Sequence, residues 1–228
     1  MCGRITLRTP QGLLVSQFMA ELVPGTEFAL RYNVAPTQPV PVVRIRDGKR
    51  QLLAMHWGLI PSWAKDPKIG YSTTNARADT VATKPAFRSA LKKRRCLVVA
   101  DGYYEWQAQG KVKQPYLYEL DDGKSFAFAG LWEQWWGADH QAAEPLESCT
   151  IITTDANPLA SKIHNRMPVL LDEQDYDAWL DAANLDGESL RYLFEPFPVD
   201  RMSARPVSTF VNNARHEGPE CIADSGGC

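Results

Sequence analysis

Short runs of β-branched and aromatic residues, each bounded by polar or turn-forming residues, dominate the hydrophobic pattern of the chain. Runs of this length and composition are typical of β-strands. They predict strands at residues 40–45, 52–57, 96–100, 103–107, 116–120, 126–132 and 149–154. We therefore expect a chain built mainly from β-sheet.

Apolar residues at helical spacing occur in fewer places. They predict helices at residues 11–22, 85–93, 158–164 and 173–183. Turn-forming pairs separate several of the predicted strands at hairpin distance, namely Asp47-Gly48, Asp101-Gly102, Gln109-Gly110 and Asp122-Gly123. This pattern predicts an α+β fold, with a mainly antiparallel, partly closed barrel-like sheet at its core and helices at its periphery.

The sequence shows no sign of a boundary between domains. No linker, low-complexity block or repeat interrupts residues 1–215, which we expect to form a single domain. Residues 216–228 are polar and glycine-rich, and they end in Cys228. They predict a flexible C-terminal tail.

The composition is that of an ordinary globular protein, with 44% hydrophobic and 23% charged residues in 228. A domain of this length buries about 70% of the surface of its unfolded chain, so its core needs neither disulfides nor a metal. The five cysteines form no C-x-x-C pair, which argues against a disulfide framework and a zinc site. We expect no cofactor and no metal.

The N-terminus lacks a basic segment followed by an apolar one, and no apolar run approaches the length that crosses a bilayer. We therefore expect a protein of a reducing compartment, the cytoplasm, with no membrane partner.

Charge is distributed unevenly along the chain. Residues 1–100 hold 16 Lys and Arg against five Asp and Glu, whereas the remainder holds nine against 22, and the net charge is only −2. The basic part either forms ion pairs with the acidic part or presents a basic face to a polyanion, and charge alone favours neither.

Cys2 is the most informative residue of the sequence. Removal of Met1 would leave an N-terminal cysteine, whose amine and thiol titrate near 8 and 8.5. Two such groups can attack one aldehyde together, because the amine forms a Schiff base and the sulfur then closes a thiazolidine ring. The alternative is that cysteine stands at position 2 incidentally.

Three polar residues at the ends of apolar or aromatic runs are candidates to assist Cys2. Glu105 lies between Tyr104 and Trp106, where it is either a solvent-facing strand residue or a base with a raised pKa. His164 is either a surface cap or an acid–base group, and Asn75 is a further polar candidate.

Seven collinear blocks of sequence resemble one known family. The blocks are residues 1–4 (MCGR), 31–37 (RYNVAPT), 57–64 (WGLIPSWA), 75–78 (NARA), 95–106 (RCLVVADGYYEW), 129–133 (AGLWE) and 163–169 (IHNRMPV). In this order they are similar to the SRAP family of abasic-site processing proteins, from residue 1 to about residue 210.

The resemblance implies a covalent link between the N-terminal cysteine and the ring-opened deoxyribose of an abasic site in single-stranded DNA, with a strand-cleaving lyase activity as a side reaction. It implies that Cys2 is the nucleophile and that Asn75 orients its amine or the sugar. Glu105 would act as acid and base at the amine, and His164 would assist the sugar oxygen. Asn165 follows that histidine where some relatives carry Asp, so no neighbouring acid supports it.

The resemblance also implies a basic groove for DNA. The residues it assigns to that groove are Arg4, Asn33, Pro36, Trp63, Arg77 and Arg166. Trp63 would stack or wedge beside the lesion, although it is single where some relatives carry two tryptophans. The implied partner is single-stranded DNA with abasic sites, bound at the nucleoid by a monomer that needs no obligate protein partner.

Two other function classes compete with this one. Glutamine amidotransferases also begin with Met-Cys-Gly, but such domains need a glutamine pocket and usually a synthase domain, and a basic N-terminal half serves no purpose on glutamine. A DNA-binding module with an inert Cys2 would fit the arginine and aromatic content alone. Glutaminase activity and crosslinking to abasic DNA distinguish the three classes.

Overall fold

The computed structural model describes residues 2–110, 112–183 and 189–225. In these ranges the strands are β1 (Ile5–Leu7), β2 (Glu21–Leu22), β3 (Arg31–Val34), β4 (Pro39–Arg46), β5 (Lys49–Trp57), β6 (Asn75–Arg77), β7 (Arg95–Ala100), β8 (Gly102–Gln109), β9 (Val112–Leu120), β10 (Phe126–Trp135), β11 (Leu146–Asp155), β12 (Arg166–Pro168), β13 (Leu170–Leu171) and β14 (Met202–Pro206). The α-helices are α1 (Gln11–Gln17), α2 (Arg88–Lys93) and α3 (Tyr176–Leu180). Short 3₁₀ helices lie at Pro67–Ser72, Ala160–Lys162, Glu173–Asp175, Arg191–Phe194, Val199–Arg201, Thr209–Asn212 and Pro219–Ile222.

Two sheets make up the core. The smaller sheet has the strand order β14-β9-β8-β1-β3, and the larger has the order β12-β11-β10-β7-β4-β5-β2, with β13 on β10 and β6 on β11. A parallel pairing of β5 with β11 joins β11, β10, β7, β4 and β5 into a ring. The predicted α+β fold with a partly closed, mainly antiparallel sheet is therefore confirmed, as a single domain.

The space between the two sheets is filled by apolar side chains from both. Ile5 and Tyr103 of the smaller sheet belong to one buried cluster with Val42, Phe128 and Ile151 of the ring. The α-helices pack outside the ring, as predicted. The indole of Trp179 in α3, for example, donates a hydrogen bond of 2.8 Å to the carbonyl oxygen of Cys96.

All seven predicted strands are present, but two of the predicted hairpins are not. Asp101-Gly102 joins β7 to β8 and Asp122-Gly123 joins β9 to β10, and in both cases the two strands belong to different sheets. Asp47-Gly48 does form a hairpin turn between β4 and β5. Turn chemistry indicates a change of direction and carries no information on which sheet the chain enters.

The predicted helices are shorter than the apolar spacing suggested. α1 ends at Gln17, Met19 adopts a positive φ of 48°, and residues 21–22 form a strand beside β5. Around residues 158–164 only the 3₁₀ turn Ala160–Lys162 forms. Tertiary pairing with the sheet overrides helical spacing in these short segments.

Asp101 is the buried residue that fixes β1 against the chain between β7 and β8. Its carboxylate accepts hydrogen bonds from the hydroxyl of Thr6 (2.6 Å), the amide of Thr9 (2.8 Å) and the backbone and guanidinium of Arg8. Gly102 then passes so close to β1 that a Cβ there would lie 2.7 Å from the Thr6 hydroxyl. These contacts fix the position of the N-terminal strand.

The C-terminal segment differs from the sequence expectation. Cys221, expected in an exposed tail, is fully buried. The side-chain amide of Asn33 donates to the carbonyl oxygens of Asn213 (3.0 Å) and His216 (2.7 Å), and Glu217 forms an ion pair with Arg31. Residues 207–225 thus pack across the outer face of the smaller sheet, whereas Cys228 lies outside the described residues.

Asn33→Ala removes the amide that binds this segment. We expect its free energy of unfolding in urea to fall by about 1–3 kcal/mol, because two carbonyl groups lose a buried donor. Cys221, followed by proteolytic mass mapping, should react faster with a thiol reagent than in the wild type. Cys96 and Cys149, both fully buried in the ring, are the internal controls. A Cys221 labelling rate equal to that of the wild type contradicts the prediction.

Candidate active site

Strand β1 carries Cys2 into the space between the two sheets. The strand pairs with β3 through Ile5 and Val34, and with β8 through Ile5 and Tyr103. Cys2 precedes this strand and is fully buried, and it packs in the same cluster as Trp57. The first described residue of the chain is therefore a core residue.

Asn75, at the start of β6, holds Cys2 from the side of the ring. Its side-chain amide donates a hydrogen bond of 2.8 Å to the Cys2 carbonyl oxygen. The preceding residue is fixed as well, because the Trp57 indole donates to the Thr74 carbonyl oxygen at 2.9 Å. The Asn75 Oδ1 atom is buried without a hydrogen-bond partner, which leaves an acceptor beside Cys2 for a donor group.

Glu105 reaches the same space from β8. Side chains alternate along a strand, so Tyr103 and Glu105 point inward from β8 while Tyr104 and Trp106 point outward. Tyr103 stacks on Tyr118 with a ring separation of 4.8 Å, and the two rings cover the inner face of the smaller sheet. Only 5% of Glu105 is exposed.

Burial controls the charge of this carboxyl group. It raises the pKa of Glu105 above its usual 4.5, and the positive charges of the N-terminal amine and of His164 oppose the shift. A carboxyl with a raised pKa is suited both to accept and to donate a proton near neutral pH.

Burial also raises the pKa of the Cys2 thiol, and the charge of Glu105 adds to this effect. The N-terminal amine and a hydrogen bond from the Arg4 backbone act in the opposite direction, with smaller effect. The thiol is therefore neutral at pH 7. It can become a nucleophile only when a base removes its proton.

His164 lies between the 3₁₀ turn Ala160–Lys162 and β12. Its Nδ1 atom accepts a hydrogen bond of 3.0 Å from the Arg166 amide. In the neutral ring the proton is then on Nε2, which can donate. Glu105 is near enough to Cys2 for its charge to raise the pKa of the thiol, and the charge of His164 lowers the pKa of Glu105 in turn. With the bond from Asn75 to Cys2, these contacts link the four candidate residues in a chain.

Two of the predicted DNA-binding arginines lie on the same face as Asn75. Arg77 pairs with Thr153 of β11 in register, and Arg166 pairs with Asp155. The Arg77 guanidinium is exposed and forms an ion pair of 2.6 Å with Asp79. Arg166 is mostly buried, and its guanidinium contacts Asp155 at 2.9 Å and the Thr153 carbonyl oxygen.

Arg4 and Asn33 have a different place. The Arg4 guanidinium binds the Asn33 side chain and the Val211 carbonyl oxygen, and it lies 5.4 Å from the centre of the Trp106 ring. Trp106 points outward from β8, away from Glu105. The two residues thus hold the C-terminal segment on the outer face of the smaller sheet, and Asn33 is fully buried there.

Pro36 and Trp63 lie in loops next to the ring. Pro36 is half-buried in the turn between β3 and β4, where Thr37 donates its amide to the Trp57 carbonyl oxygen. Trp63 is 57% exposed in the loop between β5 and β6. That loop is pinned at Gly58, whose φ of 137° and close approach to the Gly70 backbone exclude a Cβ.

Sequence reasoning missed several residues of the site. Asp79 and Asp155 neutralise the two arginines, and Tyr118 covers the inner face beneath Glu105. The period-two alternation Tyr103-Glu105 already signals that these two side chains share a face. Asp155 carries no sequence signal, because its pairing with Arg166 depends on the adjacency of β11 and β12, whereas Asp79 lies only two residues after Arg77.

Two other classes of site are absent from the part of the chain that the structure describes. It contains no group of three or more His, Cys, Asp and Glu side chains arranged to hold a metal ion. None of its helices is long and apolar enough to cross a membrane.

Comparisons with known proteins give matches over most of the chain. The family model described as SOS response associated peptidase (SRAP) matches residues 1–214. The chain is 43% identical over 225 residues to the abasic site processing protein YoqW of Bacillus subtilis (strain 168), covering 97% of this chain and 99% of that protein. It is 36% identical over 222 residues to the abasic site processing protein HMCES of Gallus gallus, covering 84% of this chain and 65% of that protein. A crystal structure of a protein from Bacteroides thetaiotaomicron matches with a TM-score of 0.86 at 26% identity, covering 98% of this chain and 99% of that one.

Glu105→Gln tests whether the charged form of the buried Glu105 carboxyl destabilises the folded state. The raised pKa means that the folded state binds the Glu105 proton more tightly than the unfolded state does, so this group's contribution to stability is complete below pH 4.5 and is lost as the pH rises through the folded-state pKa. The variant should therefore be more stable than the wild type at pH 8, and its advantage should disappear near pH 4.

Urea unfolding at pH 4 to 8 measures this difference. Glu27→Gln, at an exposed position, is the matched control and should show no such dependence. A Glu105→Gln variant less stable than the wild type at pH 8 would show that the carboxylate is held by compensating partners.

Proposed function

The chain belongs to the SOS response associated peptidase (SRAP) family, and from this we propose that it captures abasic sites in single-stranded DNA through a covalent bond to Cys2. The observation that carries the proposal is the placement of a buried Cys2, whose carbonyl oxygen accepts a hydrogen bond from Asn75, next to Glu105, whose charge raises the pKa of the Cys2 thiol. The relatives named as abasic site processing proteins support the choice of substrate.

The first step needs the α-amine of Cys2, so Met1 must be removed, either by an aminopeptidase or in the site itself. An abasic site exposes an aldehyde only when its sugar ring is open. The amine attacks the aldehyde carbon to form a carbinolamine, and loss of one water gives the imine. Glu105 accepts the proton that the ammonium must release, and His164 donates from Nε2 to the sugar oxygen as the ring opens.

The second step uses the thiol. Because burial keeps the Cys2 thiol protonated, its sulfur reacts after the imine has formed. The sulfur bonds to the imine carbon and its proton passes, through Glu105, to the nitrogen. The product is a thiazolidine, and the overall reaction releases one water. The imine also acidifies the neighbouring C–H bond of the sugar, so strand cleavage by β-elimination competes with ring closure.

We propose single-stranded DNA as the substrate form, and two exposed side chains support this choice. Arg77 offers an exposed guanidinium two residues along β6 from Asn75, and Trp63 offers an exposed indole that can replace lost base stacking. We also propose that the protein acts as a monomer at the nucleoid in the cytoplasm, without an obligate protein partner.

Cys2→Ala tests the nucleophile. The wild type, incubated with an oligonucleotide carrying one abasic site, should show an intact mass equal to the protein without Met1 plus the oligonucleotide minus one water. Cys2→Ala keeps an amine but has no sulfur to close the ring, so its adduct should be lost on denaturation. DNA binding without crosslinking should survive, because phosphate contacts supply most of the affinity.

Cys228→Ala is the matched cysteine control and should crosslink as the wild type does. A reactive wild-type protein that retains Met1, or a Cys2→Ala adduct as stable as that of the wild type, contradicts the proposed chemistry. Glutamine hydrolysis without any adduct would assign the protein to the amidotransferase class instead.

Arg77→Ala and Arg4→Ala should behave differently. Removing the phosphate-binding guanidinium of Arg77 should flatten the log–log dependence of DNA affinity on salt by about 0.7, on intact and abasic single strands alike. Arg4→Ala should leave this slope unchanged and lower the free energy of unfolding, because the Arg4 guanidinium binds Asn33 and Val211. Fluorescence anisotropy and urea unfolding measure the two effects. A flattened slope with unchanged stability in Arg4→Ala would make Arg4 a phosphate-binding residue.

A further inference from the structure

Tyr103 carries a hydroxyl group that the proposed reaction does not yet use. Its side chain projects from the inner face of β8 into the buried cluster that contains Cys2, and only 1% of the residue is exposed. Among the residues that the structure describes, this buried hydroxyl has no hydrogen-bond partner. A buried tyrosine hydroxyl ordinarily has one, because its desolvation is otherwise uncompensated. The Tyr103 hydroxyl is therefore an available donor in this cluster.

The packing of the ring fixes the direction of this hydroxyl. Tyr103 lies opposite Tyr118 of β9, and the two rings stack with centres 4.8 Å apart and planes inclined by 13°. Phe128 of β10 makes an edge contact with the Tyr103 ring, at 6.0 Å between centres. Contacts on two sides restrict rotation of a side chain that has only two torsions. The hydroxyl is thus held in place by the core.

The strand pairing places Tyr103 next to both proposed reacting groups. Tyr103 pairs with Ile5, three residues after Cys2, and Glu105 follows two residues later on the same face of β8. Burial raises the pKa of Tyr103 well above its usual value, and the charges of Tyr118, Cys2 and Glu105 add to this effect. The hydroxyl is therefore neutral near pH 7, and it remains a donor beside Cys2 and Glu105.

Tyr118 also has a buried hydroxyl without a hydrogen-bond partner in the described part of the chain. Burial raises its pKa, and the charges of Glu105 and Tyr116 add to the shift. Glu105 thus acts on both tyrosines, whereas Cys2 is a source of the shift at Tyr103. Of these two hydroxyls, we therefore assign the one of Tyr103 to the reaction.

The proposed capture contains one proton transfer that has no donor so far. When the Cys2 amine adds to the aldehyde, the carbonyl oxygen becomes the hydroxyl group of the carbinolamine. That group leaves readily only when it receives a proton. His164 serves the oxygen of the sugar ring in the proposed reaction, and Glu105 serves the nitrogen. A neutral hydroxyl beside both Cys2 and Glu105 meets the remaining need.

We propose that Tyr103 is a further catalytic residue, whose hydroxyl protonates the carbinolamine oxygen as it leaves. The carbon–oxygen bond breaks while the nitrogen lone pair forms the carbon–nitrogen double bond, and the oxygen leaves as water with the Tyr103 proton. Tyr103 takes a proton from Glu105, which received it from the ammonium. The remaining proton of the nitrogen returns to Glu105, so one water is released and Tyr103 is restored. This inference rests on the proposed function.

Tyr103→Phe tests the proposal, because it keeps the stacked ring and removes only the hydroxyl. At pH 8 the variant should form the adduct roughly 100- to 10,000-fold more slowly than the wild type, the usual range for loss of a general acid. This ratio should shrink as the pH falls, because hydronium then protonates the leaving oxygen. Single-turnover time courses with saturating protein and a reactive abasic oligonucleotide, from pH 5 to 9, measure it.

Urea unfolding separates this role from a structural one. The hydroxyl has no partner in the described part of the fold, so Tyr103→Phe should not lower the midpoint of unfolding. Adduct formation at the wild-type rate at pH 8 overturns the proposal. A lowered midpoint together with a rate defect that does not change with pH also overturns it, since the hydroxyl would then support the fold.

Tyr176→Phe is the matched control. Tyr176 of α3 is another buried tyrosine with a stacked ring, at 5.5 Å from Phe18, but it belongs to the apolar cluster on the other side of the larger sheet. This variant should form the adduct at the wild-type rate at every pH. The same pH-dependent defect in Tyr176→Phe would remove the assignment to Tyr103.

Reductive trapping identifies the step at which the hydroxyl acts. Cys2→Ala forms the imine without ring closure, and borohydride converts that imine to a stable amine. Tyr103→Phe in the Cys2→Ala background should slow trapping by the same factor as it slows adduct formation. Trapping at an unchanged rate would place the hydroxyl at ring closure and overturn the proposal.

The failure of this proposal is distinguishable from that of the proposed function. If the wild type forms no adduct with the abasic oligonucleotide, the covalent chemistry itself is wrong. If the wild type forms the adduct and Tyr103→Phe forms it equally fast, only the role of Tyr103 fails.

Discussion

The carboxylate of Asp101 is the constraint on which the position of Cys2 depends. A chain terminus is ordinarily the least ordered part of a domain, because few contacts offset its conformational entropy. Asp101 accepts hydrogen bonds from Thr6, Arg8 and Thr9 and so fixes the end of β1 that lies away from Cys2. Pairing with β3 and β8 extends this order toward the N-terminus, and the bond from Asn75 completes it.

The smaller sheet separates two tasks by the alternation of its side chains. The inner face of β8 presents Tyr103 and Glu105 to Cys2, whereas the outer face presents Tyr104 and Trp106 to the C-terminal segment. Arg4 belongs to the outer set. The C-terminal segment therefore supports the site only indirectly, because it packs against the outer face of the sheet whose inner face lines the site. The motif of β8 therefore contains inward-facing residues that line the site and outward-facing residues that do not.

The sequence predicts those parts of the fold that depend on local chemistry. Strands rich in β-branched and aromatic residues are found where expected, and the turn at Asp47-Gly48 forms a hairpin. Strands β1, β6 and β12 are three residues long and were not predicted, because pairing with longer neighbours stabilises them. The same limit applies to the site. The catalytic candidates follow from motifs, whereas the pairing of Asp155 with Arg166 depends on the adjacency of β11 and β12, which no local pattern encodes.

The raised pKa of the Cys2 thiol is an advantage for the proposed two-step capture. A thiolate reacts with oxidants as well as with aldehydes. The thiol of an exposed N-terminal cysteine would therefore be oxidised more readily and would no longer be a nucleophile. Burial keeps the sulfur protonated, and so unreactive, until an imine carbon lies beside it. In the proposed first step the Glu105 carboxylate accepts a proton from the ammonium, which frees the amine to attack the aldehyde. In the second step the same carboxyl group passes the proton of the thiol to the nitrogen as the ring closes. The desolvation that makes Glu105 costly for folding is thus the same feature that lets one carboxyl group serve both steps.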